Sequence, residues 1–232
     1  MKFDQYYLYA RIFPALLTAI PLILFHHFYI NKDLSGFLHT VSSIHWIAEI
    51  TMPLVFIFFL AFVSRLISKM IIENNHYSSE AKMPAINILL YENDFYSSQY
   101  KNKIHEKIFG DFSIKLLLPN EEKADETEAR KRIVEAVSRI REKVKGGRLL
   151  LQHNMEYGFF RNLAGGSYIA AFCSILCVIF FYFFYPSPLA FRLSLIGSIV
   201  YISLLVFHTK ILDWLGYQYA KRLFQEYMPI KQ

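Results

Sequence analysis

Four stretches of this chain run for about twenty residues each with almost no charge: 12–30, 44–63, 168–185 and 189–208. About twenty apolar residues in a helix span the ~30 Å hydrocarbon core of a bilayer. Only helices and closed barrels can do so with every backbone group paired. The runs therefore read as four transmembrane helices. The composition agrees, since 54% of the residues are hydrophobic and 19% charged, more apolar side chain than one globular core of this length takes up. The first run is too long for a signal peptide and lacks a small-residue cleavage site before Asn31, so it reads as a helix that stays.

Lysine and arginine near the ends of the runs set the orientation. Lys2 and Arg11 precede the first run, Arg65 and Lys69 follow the second, Arg161 precedes the third, and Lys210, Lys221 and Arg222 follow the fourth. The connections 31–43 and 186–188 hold only Lys32. Both termini and the middle block are thus expected to be cytoplasmic. The expected organisation is an N-terminal transmembrane hairpin at 1–63, a cytoplasmic domain at 64–167, and a C-terminal hairpin with a cytoplasmic helix at 168–232. The fold class is a mainly α membrane protein with a central α or α+β domain.

The block 64–167 carries 17 Lys/Arg against 14 Asp/Glu. Its clearest element is a helix over 126–145. Asp125 and Glu128 form a capping box, Gly146 and Gly147 end the helix, and Ile133, Val137, Ile140 and Val144 make a narrow apolar stripe. A second helix is expected over 98–109. The run 85–90 reads as a short strand or extended linker, and Pro119 opens an acidic turn. The segment 152–163 shows no helix period but is rich in polar-tipped side chains. Asn154, Tyr157, Arg161 and Asn162 read first as hydrogen-bonding anchors at the root of the third span. Helical periodicity carries on past the membrane over 65–73 and 211–227.

Cys173 and Cys177, the only cysteines, lie inside the third run, which excludes a disulfide framework and a thiolate zinc site. The histidines show no metal-ligand spacing, and no phosphate-binding loop, zinc-protease motif or nucleophile elbow is present. Nothing in these residues points to an enzyme, a cofactor or a metal. Glu49 and Arg192 are the charges inside predicted spans; each is a candidate pore residue or a shallow interfacial one. The basic helix is the main ligand candidate. Arg130, Lys131, Arg139 and Arg148, with His153, Arg161 and Asn162 beyond them, can hold phosphates; the plainer reading is a solvated or lipid-facing surface. Arg148 and His153 also have the Arg-x4-His spacing of HEPN ribonucleases, a common spacing by chance.

Met83-Pro84 to Leu89-Leu90-Tyr91, Lys101 to His105, Leu118-Pro119 to Glu121-Glu122, and Asn154-x-x-Tyr157-Gly158-Phe159-x-Arg161-Asn162-Leu163 together resemble a widespread bacterial family of four-span membrane proteins. Where that family carries a polar Pro-Thr-Thr, this chain has Met83-Pro84-Ala85-Ile86. The resemblance extends to HalA-type membrane effectors of Hailong antiphage defence. It implies a homo-oligomeric inner-membrane ion channel. Its cytoplasmic domain would be gated by a nucleotide or a single-stranded DNA oligomer supplied by a partner nucleotidyltransferase. The rival expectations are a small transporter or adaptor that recruits a cytoplasmic partner, and a membrane-tethered nuclease using Arg148 and His153.

Overall fold

The computed structural model describes residues 5–30, 45–73, 77, 79–145 and 147–230, the side chains of 30, 45–52, 148 and 149 excepted. Among the described residues the chain is helical with no strand. Helix α1 covers 5–30 and α2 covers 45–73. The short α3 is Pro84–Asn87, α4 Ser98–Phe112, α5 Pro119–Ala124 and α6 Glu126–Lys143. Helix α7 is Arg148–Ile179, continued by a wider π turn at Phe180–Phe184, and α8 is Pro188–Tyr227. Four of these, α1, α2, α7 and α8, are long and apolar enough to cross a membrane, which makes this a multi-pass membrane protein. The connection 31–43, with Lys32, lies outside the described residues.

The chain forms two compact units. One comprises the chain up to Ile72 with Gly158–Thr209, the other Glu73–Tyr157 with the chain from Lys210 onward. These limits differ from 63/64 and 167/168, and the C-terminal end of α8 belongs to the second unit. Helix continuity explains the difference, because hydrogen bonding ignores the point where hydropathy changes.

The first unit is built inside out relative to a soluble domain. Its outward positions are large and apolar, such as Phe62, Phe172, Phe183, Ile199 and Val206. Many of its buried positions are small or hydroxylated, among them Ala10, Ala15, Thr18, Ala61, Ser64, Ser68, Ala164, Ser167 and Ala170, beside a few larger ones such as Leu60 and Phe181. Lipid tails are as apolar as leucine, so helices in a bilayer associate through close backbone approach and interhelical hydrogen bonds. Gly165 shows that approach. A Cβ there would run into the Ser64 carbonyl and lie 2.7 Å from Ser68 Cβ.

The second unit has an ordinary core. Ile133, Val137 and Ile140 of α6 are at most 2% exposed and Val144 is 5%, so the expected stripe is the buried seam. It packs with Ile104 and Ile108 of α4, the run 85–90, and Leu223, Phe224 and Tyr227 of α8. Asp125 caps α6 by accepting from the Glu128 N–H at 2.9 Å.

Several expectations need correction. The run 85–90 is not a strand; Pro84 opens a helical turn, and Ile86, Ile88 and Leu89 are all fully buried. A run apolar on every side has no period to read. The 119–125 acidic turn is helix α5, with Glu121 accepting from the Leu118 N–H at 2.9 Å. The segment 152–163 lies wholly within α7. Its period is masked because its buried residues are a glycine, an asparagine and a leucine rather than an apolar stripe: Gly158, Asn162 and Leu163. Helix α6 ends at Lys143, and Gly146 lies outside the described residues.

Candidate ligand-binding surface of the polar unit

The turn after Leu89 is held by two charged side chains. Lys101, 1% exposed, donates from Nζ to the carbonyls of Leu90 at 2.6 Å and Tyr91 at 3.3 Å, and to that of Asn93. Glu122, 5% exposed, accepts the Tyr91 N–H at 2.7 Å and the Glu92 N–H at 3.3 Å. Burial lowers the Lys101 pKa against the opposing pull of Glu122 and Asp94. Burial likewise raises that of Glu122, against the two backbone N–H groups and Lys101. A buried charge is tolerated when hydrogen bonds replace its water, and here the turn supplies three carbonyls to Lys101 and two N–H groups to Glu122 Oε1.

This turn presents Tyr91 to an open cleft of about 360 Å³, lined further by Asn102, His105, Glu106, Phe109, Lys115, Leu116 and Leu118. Tyr91 Oη donates to Asn102 Oδ1 at 2.6 Å and lies 3.4 Å from His105 Nδ1, with the two rings edge to face at 5.0 Å. Burial, with the Lys101 charge, pushes the His105 pKa down to about 4, against the opposing Leu89 carbonyl. The imidazole is therefore neutral at pH 7. Asn102 is exposed, and its amide is bonded to Tyr91 through Oδ1. Leu118 and Phe109 are both more than half exposed at the rim. The size is at the lower end for small-ligand sites, and the lining suits a flat polar group lying on an apolar shelf.

The basic face of α6 is less free than its sequence implies. Arg130 bonds Glu126 at 2.7 Å, the Ala81 carbonyl at 2.7 Å and Asn87 Oδ1 at 2.7 Å. It is a clamp from α6 to α3 and the segment just before it. Arg141 pairs with Glu80 at 2.9 Å and Lys143 with Asp111 at 2.9 Å. Lys131 and Arg139 remain exposed cations, with Glu135 and Glu142 among them. Arg132 donates to the Lys115 carbonyl at 3.1 Å, so the basic face borders the cleft.

The other sequence candidates are dispersed. His153 sits 3.3 Å from Glu156. Arg161 is half-buried in α7 and Arg192 is exposed on α8. Asn162 is 1% exposed; it donates to the Ala10 carbonyl at 2.5 Å and accepts from Ser68 at 3.1 Å, which makes it the helix anchor of the alternative reading. Glu49 lies on α2 and Arg148 begins α7, their side chains outside the described residues. No group of His, Cys, Asp or Glu among the described residues is arranged to hold a metal.

Sequence reasoning missed the cleft as a site. Its signal was present in the segments 89–91, 101–105 and 118–122, which meet around this turn. Comparison with protein-family models, curated proteins and solved structures finds no match to the chain.

Proposed function

We propose that this protein is a pore-forming effector of a bacterial inner membrane, opened by an anionic ligand bound at its polar unit during phage infection. The observation that supports this best is that α7 and α8 each contribute residues to both compact units without a break. Leu150, Leu223 and Phe224 of the polar core thus lie on the same two helices that enter the membrane unit, which gives a ligand-induced change in that core a covalent route to the spans. A single four-span subunit has little room for an aqueous path, so the path forms among several copies around an axis, with Glu49 and Arg192 as its candidate charges. The ligand is a nucleotide or short single-stranded DNA, its base on the Phe109–Leu118 shelf and its phosphates toward Lys115, Arg132, Lys131 and Arg139.

The test is ion flux through liposomes containing the full-length protein, with single-stranded oligonucleotides, mononucleotides or buffer alone. Flux that depends on a nucleic-acid ligand, from a particle of several subunits in detergent, is the expected result. Ligand binding with no flux under any condition would instead favour an adaptor.

A further inference from the structure

Pro14 and Pro21 each remove a backbone N–H from α1. In α register the carbonyls left without that donor are those four residues earlier, Ala10, which lies in the wider π turn Leu8–Ile12, and Leu17. Leu17 lies within the apolar run 12–30, where no water replaces the donor and an unmet carbonyl costs several kcal/mol; Ala10 lies just before that run but is itself buried. Side chains of other helices fill both positions. Asn162 Nδ2, on α7, donates to the Ala10 carbonyl at 2.5 Å, and Tyr201 Oη, on α8, donates to the Leu17 carbonyl at 2.6 Å. Both donors are buried, Asn162 at 1% and Tyr201 at 5% exposure. Asn162 is in turn steadied by Ser68 of α2, and the neighbouring Gly158 lets α7 come close, since a Cβ there would lie 2.9 Å from Ala10 Cβ.

The first span is therefore held to its neighbours at the two places where its own backbone is interrupted. A backbone helix bond opens only when the helix distorts. A side-chain bond to a proline-freed carbonyl opens with one rotation or a small slide, and leaves the helix otherwise intact. We propose that Asn162 and Tyr201 are latches that hold the Pro14–Pro21 segment in a closed arrangement, and that this segment is the element that moves when the protein is activated. The gating role rests on the pore reading; the latch itself does not.

A double-substitution cycle in the full-length protein tests it. Tyr201→Phe removes only the hydroxyl, and Pro21→Ala gives Leu17 a backbone donor that makes the hydroxyl dispensable. In liposomes, Tyr201→Phe should raise ligand-independent flux about tenfold, and should have no such effect in the Pro21→Ala background. Asn162→Leu with Pro14→Ala should repeat the pattern. If the protein conducts but Tyr201→Phe has the same effect with and without Pro21, or none, the latch proposal is overturned. If no variant, including the parent, conducts, the pore reading fails. The latch is then read from thermal unfolding of the same four proteins: a midpoint loss on Tyr201→Phe that disappears with Pro21→Ala supports it, and additive losses overturn it.

Discussion

Lys101 and Glu122 grip one turn by its opposite chemical ends, the lysine taking the carbonyls of Leu90, Tyr91 and Asn93 and the glutamate the N–H groups of Tyr91 and Glu92. Neither residue pairs directly with the other in this arrangement; the backbone between them completes the circuit. Removing one partner leaves several buried polar groups unmet. Lys101→Met should therefore cost about 2–3 kcal/mol of stability, the range for charged hydrogen bonds. Glu122→Gln, which keeps an acceptor, should cost less. Thermal unfolding of the purified protein decides; equal losses would show that charge plays no part in holding the turn.

Val137 is fully buried in the seam of α6. Val137→Asp should cost about 3–5 kcal/mol, because an unpaired buried carboxylate has neither water nor a partner. Expression yield and unfolding midpoint read this directly. A variant as stable as the parent would show the seam to be plastic.

Two groups give stability opposite origins but the same sign of pH dependence. His105 is held neutral, its pKa lowered to about 4 by burial, so the unfolded chain binds its proton first. Its contribution is full above the ordinary histidine value near 6.5 and is lost as pH falls toward 4. Burial alone would raise the pKa of Asp111, but hydrogen bonds from Lys143, Tyr227 and Lys107 outweigh it and hold it below the usual carboxylate range. Its contribution is complete above the ordinary aspartate value and disappears at more acid pH as the folded pKa is crossed. His105→Gln should flatten the unfolding midpoint between pH 4 and about 6.5, whereas Asp111→Asn should lower the midpoint throughout that window and flatten its pH dependence only below it. A slope through pH 5 that survives His105→Gln would assign it elsewhere.

Lys131 and Arg139 should separate from Arg130 when a polyanion is titrated. Alanine at either exposed cation should lower the salt slope of oligonucleotide binding by about one unit or less, with the fold intact. Arg130→Ala should first lower the unfolding midpoint, since its guanidinium is committed to Glu126, Ala81 and Asn87. If all three substitutions act alike on the salt slope and none affects stability, the clamp has no energetic weight.

The sequence by itself determined the four spans, because hydrocarbon imposes one length and one chemistry on any helix that crosses it. The stripe at Ile133, Val137 and Ile140 was legible for a related reason: one buried face leaves a period. Neither argument reaches a residue whose role depends on a distant partner. Arg130 and Lys131 are adjacent and chemically alike, yet one is a clamp and the other an exposed cation, because Arg130 reaches Ala81 and Asn87. Asn162 read first as a helix anchor and second as a phosphate ligand, and the sequence named no partner for either role. Its anchoring contact was set by Ala10, more than a hundred residues away, whose carbonyl Pro14 had left without a donor. Tertiary structure decided these cases because a side-chain polar group has a meaning only through what fills its hydrogen bonds, and folding brings that partner from elsewhere in the chain.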